Sequence, residues 1–262
     1  MLSKRLIQLL IAVALALFLS GWLQAAELQA IKLNPPDLKR GLPFMQALSV
    51  KASAREYSEK ELSLQDLSDL LWAADGINRP AENKSTASSA MNAHDIRIYV
   101  FMKEGVYWYD QMEHELSPVL AGDCRAQIMM ARPPRPAGPP PSASPSASGG
   151  TTASPAASAA SAAGTPPPSV APPPPPPAPS NPPVQIVLVS DGERFKHGTP
   201  EQKFEWGALD AGIVSQNISL FCAATGLKTR PRASMDKAKV KELLKLTEAQ
   251  NVFLNHPVGY AK

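Results

Sequence analysis

Apolar positions in this chain change their period several times, and each change marks an element. Leu64, Leu67, Leu70, Leu71 and Ala74 recur at helical spacing, with Ser63 placed as the N-cap, Asp66 three residues on and Gly76 as a C′ residue. A shorter helix is expected at Met45–Val50, and residues 77–88 read as a polar loop carrying Arg79-Pro80. Two strands follow, Arg97–Met102 and Val106–Tyr109, with Glu104-Gly105 as the tight turn of a hairpin. His114–Leu120 reads as a short helix or turn, stopped or bent near Pro118. Val184–Val189 is a continuous apolar run, the mark of a buried strand. Trp206–Thr225 reads as a long helix, apolar on more than one face and closed by Gly226. Such a helix belongs at the centre of a domain or in a dimer interface. Ser234 is placed to cap a last amphipathic helix through Leu246, and Asn251–Leu254 ends the series as a strand. Helices mixed with a small, mainly antiparallel sheet make the fold class α+β.

Composition divides the 262 residues into parts that can and cannot form a core. Met1–Ala26 reads as a signal peptide: Lys4 and Arg5 precede a nearly continuous apolar run, Leu6–Leu23, and small residues follow at Ala25 and Ala26. Cleavage there leaves no stable membrane anchor and places the protein in the periplasm or outside the cell. The other reading of this run is a single anchor, since it approaches the ~18 residues that span a bilayer. Residues 27–41 are a lead-in. Residues 132–183 are Pro, Ala, Ser and Gly with almost no bulky apolar side chains, so they cannot offset their ordering entropy and are expected to be a disordered insert. Residues 42–131 and 184–262 then form one domain, with the insert leaving and re-entering at one surface point. A net charge of +3 without an arginine-rich stripe interleaved with aromatics argues against nucleic acid. Cys124 and Cys222 either pair, as export would permit, or stay as two buried thiols. The four His show no metal-ligand spacing.

Three blocks hold polar or small groups where a core would want bulk. Lys51-Ala-Ser53-Ala-Arg55 offers two cations and a hydroxyl in five residues, which suits a phosphate. Ser88-Ser89-Ala90-Met91-Asn92 places an Asn after small or flexible residues, so a flat ligand can lie close to the backbone. Asp210-Ala-Gly212, with Gln216-Asn217 beyond it, leads to Gly226-Leu227. The plainer readings are a solvated basic loop, a turn before a strand, and an ordinary helix N-terminus favoured by the macrodipole.

The order and spacing of these blocks resembles the FMN-dependent nitroreductase family. The family blocks read Arg-Arg-Ser-x-Arg, then Pro-Ser-Ala-x-Asn, then an acidic-x-Gly start to a helix ending in Gly-Leu. Leu70–Pro80, Gly105–Asp110, Gly122–Arg125 and Pro257–Gly259 also fit, so the resemblance covers about 42–131 and 184–262. It implies a nitroreductase-like fold, FMN as cofactor, and hydride transfer through flavin N5 to or from a small organic substrate. It also implies a homodimer sharing the flavin between subunits, with NAD(P)H or the substrate itself as hydride donor. By that resemblance Lys51, Ser53 and Arg55 hold the phosphate. Ser89, Ala90 and Asn92 meet the ring and its pyrimidine edge. Asp210 and Gly212 lie near N5 with backbone N–H groups at a helix start, and Lys228, Arg230 and Arg232 are distal phosphate ligands. The flavin carries the redox step, so no protein nucleophile, base or metal is required. The chain departs from the family at Lys51 and Ala52, which replace Arg, at Ser88, which replaces Pro, and at Lys228, which replaces Gly. Lys keeps the charge of Arg but loses its bidentate fork. These departures support an alternative of another class, a non-catalytic nitroreductase-like binding module whose Pro-rich insert contacts a partner.

Overall fold

The structure is a computed structural model that describes residues 28–130 and 182–262. The expected signal peptide lies outside the described residues, as does the expected insert apart from Pro182 and Pro183. In chain order the elements are β1 (Ile31–Lys32), α1 (Phe44–Val50), α2 (Leu64–Asp75), β2 (Ile77–Arg79), β3 (Lys84–Ser85), β4 (Ile96–Phe101) and β5 (Gly105–Asp110). They continue with β6 (Glu115–Ala121), β7 (Val184–Asp191), α3 (Pro200–Thr225), β8 (Lys228–Thr229), α4 (Lys237–Leu244) and β9 (Gln250–Gly259). Seven strands form one sheet in the order β1-β6-β5-β4-β7-β9-β8, and each neighbouring pair is antiparallel. The α+β expectation with a mainly antiparallel sheet therefore holds.

Alternation along the strands sorts the core into two layers. Ile96, Ile98 and Val100 of β4, with Ile186 and Leu188 of β7, face α2 and α3. Tyr99 and Phe101, with Val187 and Val189, face α4 and the turn holding Cys124 and Ile128. All eight residues of β7 are buried, which explains why it reads as a continuous apolar run. Cys222 packs in the first layer and Cys124 in the second, and both are free thiols.

Several expectations need correction. Gly76 closes α2 but is extended, with φ −77° rather than left-handed. Glycine is needed there for a different reason: a Cβ would stand 2.7 Å from the Trp72 Cα. Residues 77–88 are not a plain loop, because β2 and β3 pair as a small hairpin. His114–Leu120 is not a helix. It is mostly β6, and Pro118 sits past the short reach of β1, where no ladder bond is asked of it. The cap of α4 is Asp236, which accepts the Lys239 N–H at 2.9 Å, rather than Ser234. α3 starts six residues earlier than Trp206, at Pro200, behind a capping box of Thr199 and Gln202. Its first turns are exposed and polar, so apolar period alone misses them.

At the root of the insert, Arg125 Nη1 donates to the carbonyls of Pro182 at 3.2 Å and Pro183 at 3.0 Å. That fixes where the chain re-enters the sheet as β7. The other close packing is between α3 and β7. A Cβ on Gly207 would stand 2.7 Å from the Ser190 Cβ, so the helix reaches the sheet only because residue 207 lacks one. Gly207→Ala is expected to cost about 1–3 kcal/mol through overpacking. Chemical denaturation should read this as a lower midpoint with an unchanged slope.

Candidate functional site

The first block follows α1. Lys51, Ser53 and Arg55 are exposed, and the Ala54 N–H donates to the Thr229 carbonyl at 3.0 Å, which pins the block beside β8. Between them lies a cavity of about 360 Å³ lined by Val50, Ala52, Ser219, Gly226, Lys228 and Thr229, among others. Gly226 ends α3 in the left-handed region at φ 81° and turns the chain into β8. The first block and the segment after Gly226 are thus brought together. Arg230 is half-buried, and its Nε is buried without a partner. Such an orphan donor is rare unless a ligand completes it. Arg232 is committed elsewhere. Its Nη2 donates to Gln185 Oε1 at 3.3 Å and contacts Met129 Sδ at 2.9 Å, while burial and the charge of Arg230 push its pKa down. It braces the sheet through Nη2, while its Nε, like that of Arg230, is buried without a partner.

Thr229, which lines the cavity, is held by a residue that no spacing pattern singles out. His256 is fully buried; its Nε2 lies 2.8 Å from Ser215 Oγ and its Nδ1 3.1 Å from Thr229 Oγ1. Burial pushes its pKa down to about 3, so the ring is neutral.

The second block packs against α3. Residues 90–92 form one helical turn, with Met91 at φ 53° and Asn92 at φ 54°, and His94 follows at φ 47°. Three non-glycine residues in the left-handed region within four positions store strain that the surroundings must hold. The His94 N–H donates to Ser89 Oγ at 2.9 Å, and Asp210 Oδ2 accepts the Ala90 N–H at 2.7 Å. A second cavity, about 240 Å³, is lined by Arg79, Lys84, Ser88, Ser89, Asn92 and His94, among others. Arg79 and Lys84, paired across the β2–β3 hairpin, bring two cations to this cavity.

The third block is where local structure most departs from expectation. Asp210 and Gly212 lie mid-helix, not at a helix start, so their N–H groups serve α3 itself. Asp210 points inward to the second block, whereas Gly212 is exposed and a Cβ there would meet open space. Gln216 is exposed too. Asn217 is structural: its Nδ2 donates to the Ala74 carbonyl at 3.2 Å and the Thr86 carbonyl at 3.4 Å. Beneath the turn, Ser190 Oγ donates to Asp95 Oδ2 at 2.5 Å, and Asp95 meets the Asp210 side chain. Burial first, and then this contact, push the Asp95 pKa up to about 7. Burial likewise raises Asp75 to about 7, with Asp210 adding to it, although Gln111 donates to its carboxyl.

Asp210 and Gly226 are sixteen residues apart along α3, or about 24 Å at 1.5 Å per residue. Within one copy the two cavities share no lining residue.

A model of the nitroreductase family matches residues 49–260. A protein of Methanocaldococcus jannaschii named for nitroreductase is 23% identical over 235 residues, covering 87% of this chain and 96% of that protein. The crystal structure of a Ralstonia eutropha JMP134 protein, also named for nitroreductase, aligns with a TM-score of 0.67 at 24% identity, covering 91% of this chain and 92% of that chain. A chain of the E. coli microcin synthetase McbBCD complex with truncated pro-MccB17 bound aligns with a TM-score of 0.56 at 13% identity, covering 91% and 79%. These structural likenesses concern the fold.

The buried ring of His256 gives the site a pH signature. A folded pKa held below the ordinary value of about 6.5 means that stability is lost as pH falls below that value. Asp75, raised to about 7, works oppositely: its contribution is full below pH ~4 and is lost as pH rises through 7. A comparison of wild type with His256→Gln isolates the ring. Their stability gap should narrow by about 1.4 kcal/mol per pH unit below pH ~6.5. Urea unfolding at several pH values reads it.

Proposed function

The chain belongs to the nitroreductase family, and from that premise we propose that it is an exported FMN-dependent oxidoreductase acting on a small organic substrate. Membership implies a flavin-dependent oxidoreductase. What supports the finer reading is the pair of half-sites at the two ends of the Asp210–Gly226 interval. The cationic end suits a phosphate: Lys228 lines the cavity, Lys51 and Arg55 stand in the exposed first block, and Arg230 Nε lacks a partner. The other end suits a ring edge: Asn92 stands on a turn with small neighbours, Ser89 and Ala90. Bound there, FMN supplies a two-electron centre at N5, and this chain's residues bind and orient it.

The two cavities share no lining residue within one copy, and in this reading a second copy completes the site. The surface agrees. Phe44 and Met45 of α1 are 64% and 72% exposed, and Leu209 and Ile213 of α3 are exposed beside Gly212. An apolar strip along the helix that links both half-sites is where a homodimer would close. Hydride would come from NAD(P)H or from the substrate itself. Anaerobic addition of NAD(P)H to the flavin-loaded protein separates these two, since bleaching requires the nicotinamide route.

The purified mature protein is expected to keep the flavin absorption bands through desalting and to elute as a dimer. A colourless protein would favour the binding-module alternative. Arg230→Ala should weaken FMN by roughly 10- to 150-fold, the loss of one charge-assisted hydrogen bond, and leave riboflavin almost unchanged. Ile213→Glu should yield monomers that lose FMN although α3 stays folded, which gel filtration with absorbance at two wavelengths would follow.

A further inference from the structure

Asp95 was not singled out by any local pattern, and it is 0% exposed. Its Oδ2 is satisfied by Ser190, but its Oδ1 is buried with no hydrogen-bond donor. A lone buried carboxylate oxygen would cost too much to keep charged, and its neighbour is another carboxyl, that of Asp210. Asp210 Oδ2 is in turn occupied by the Ala90 N–H. No group of His, Cys, Asp and Glu among the described residues is arranged to hold a metal ion. A proton on one of the two carboxyls would complete Asp95 Oδ1.

We propose that Asp95 and Asp210 share one proton, and that this pair holds the strained Ala90–Asn92 turn in shape, making Asp95 a positioning residue for the second half-site. With the proton in place, Asp95 donates to Asp210, and the Asp210 carboxylate keeps its full acceptor strength for Ala90. When the proton leaves to solvent, two like charges meet in a buried site, and the Asp210 side chain is driven off the turn. The other groups around the pair do not relieve this. From α2, Asp75, whose own pKa burial raises to about 7, adds negative charge only as pH rises through that value. From β7, Asp191 is paired with Arg97 at 2.9 Å. Arg194 spends its Nε on the Ala93 carbonyl at 3.1 Å. His94 stands beside the pair in sequence, with its Nε2 buried and unpartnered. The raised pKa of Asp95 puts the change near neutral pH. The effect on cofactor binding rests on the reading of Asn92 as a flavin contact, whereas the proton pair does not.

The test is amide hydrogen exchange of Ala90, resolved by NMR in the full chain without added flavin, at about pH 6 and about pH 8.5. Corrected for intrinsic rates, protection in wild type should fall roughly tenfold or more across that interval. In Asp95→Asn the side-chain amide donates to Asp210 at every pH, so protection should stay flat. No fall in wild type, or an equal fall in the variant, overturns the proposal. Should the variant not fold, the Asp95 carboxyl carbon shift in wild type decides: a midpoint near neutral supports the shared proton, and one in the ordinary aspartate range overturns it. FMN affinity over the same interval tests the positioning role. An affinity that follows Ala90 protection in wild type but not in the variant supports it, and a pH-independent affinity overturns it. A chain that binds no flavin at any pH sinks the proposed function and leaves the exchange result to decide the proton pair.

Discussion

A long helix buried against a sheet must satisfy whatever polar side chains it carries inward, and here that requirement organises the site. α3 lies across β4, β7 and β9 with Ala211, Val214, Ile218 and Cys222 in the apolar layer. Interleaved with them are Asp210, Ser215 and Asn217. Each reaches a different loop or strand: Asp210 the Ala90 amide, Ser215 the His256 ring, Asn217 the carbonyls of Ala74 and Thr86. A buried polar group left unpaired costs about 1–3 kcal/mol, so these contacts fix the loops as firmly as apolar packing fixes the helix. Gly207 makes the arrangement possible by letting the helix come close to Ser190, the partner of Asp95.

The same helix sets the electrostatics. Its C-terminal end carries the negative pole of the macrodipole, which favours cations and works against a phosphate. Lys228 and Arg230 follow that end directly, with Lys51 and Arg55 in the exposed block opposite. An anion bound here must be held by side-chain charge, not by helix amides, and this gives physical weight to Arg230 Nε being without a partner. The Asp210 end is the reverse. Three acidic side chains, Asp75, Asp95 and Asp210, cluster at this end, while Arg79 and Lys84 of the β2–β3 hairpin line the cavity beside the turn.

Elements with local signals were legible in the sequence. The alternation of β4 and β5, the Ser63 cap and the glycine closing α3 are all decided within a few residues, and the structure repeats them. β6 is not legible locally, because Pro118 looks like a stop wherever its edge position is unknown. The start of α3 was misread because its first turns are solvated, although Thr199, Pro200 and Gln202 carried a capping signal. That error moved Asp210 from a helix start to a helix middle and hid its role. Asp95 and His256 were invisible for a stricter reason. Their partners lie 95 and 41 residues away, and only the fold brings them together.

Two carboxyls buried side by side are an expensive way to hold a turn. An apolar pair of similar volume would often be neutral or stabilising. But an apolar pair could not accept the Ala90 N–H, and the turn it anchors has no cheaper support. Met91, Asn92 and His94 each take a backbone conformation that costs on the order of 1–3 kcal/mol, and Ser89 and Arg194 brace the far side. Relaxing that strain would swing Asn92 away from the cavity it lines. The acidic pair is therefore best understood as the charge that an Asn-bearing turn requires, kept tolerable by a proton and by the Ser190 hydroxyl. Stability and site geometry pull in opposite directions at this one point of the fold, and the sequence has settled the conflict in favour of the site.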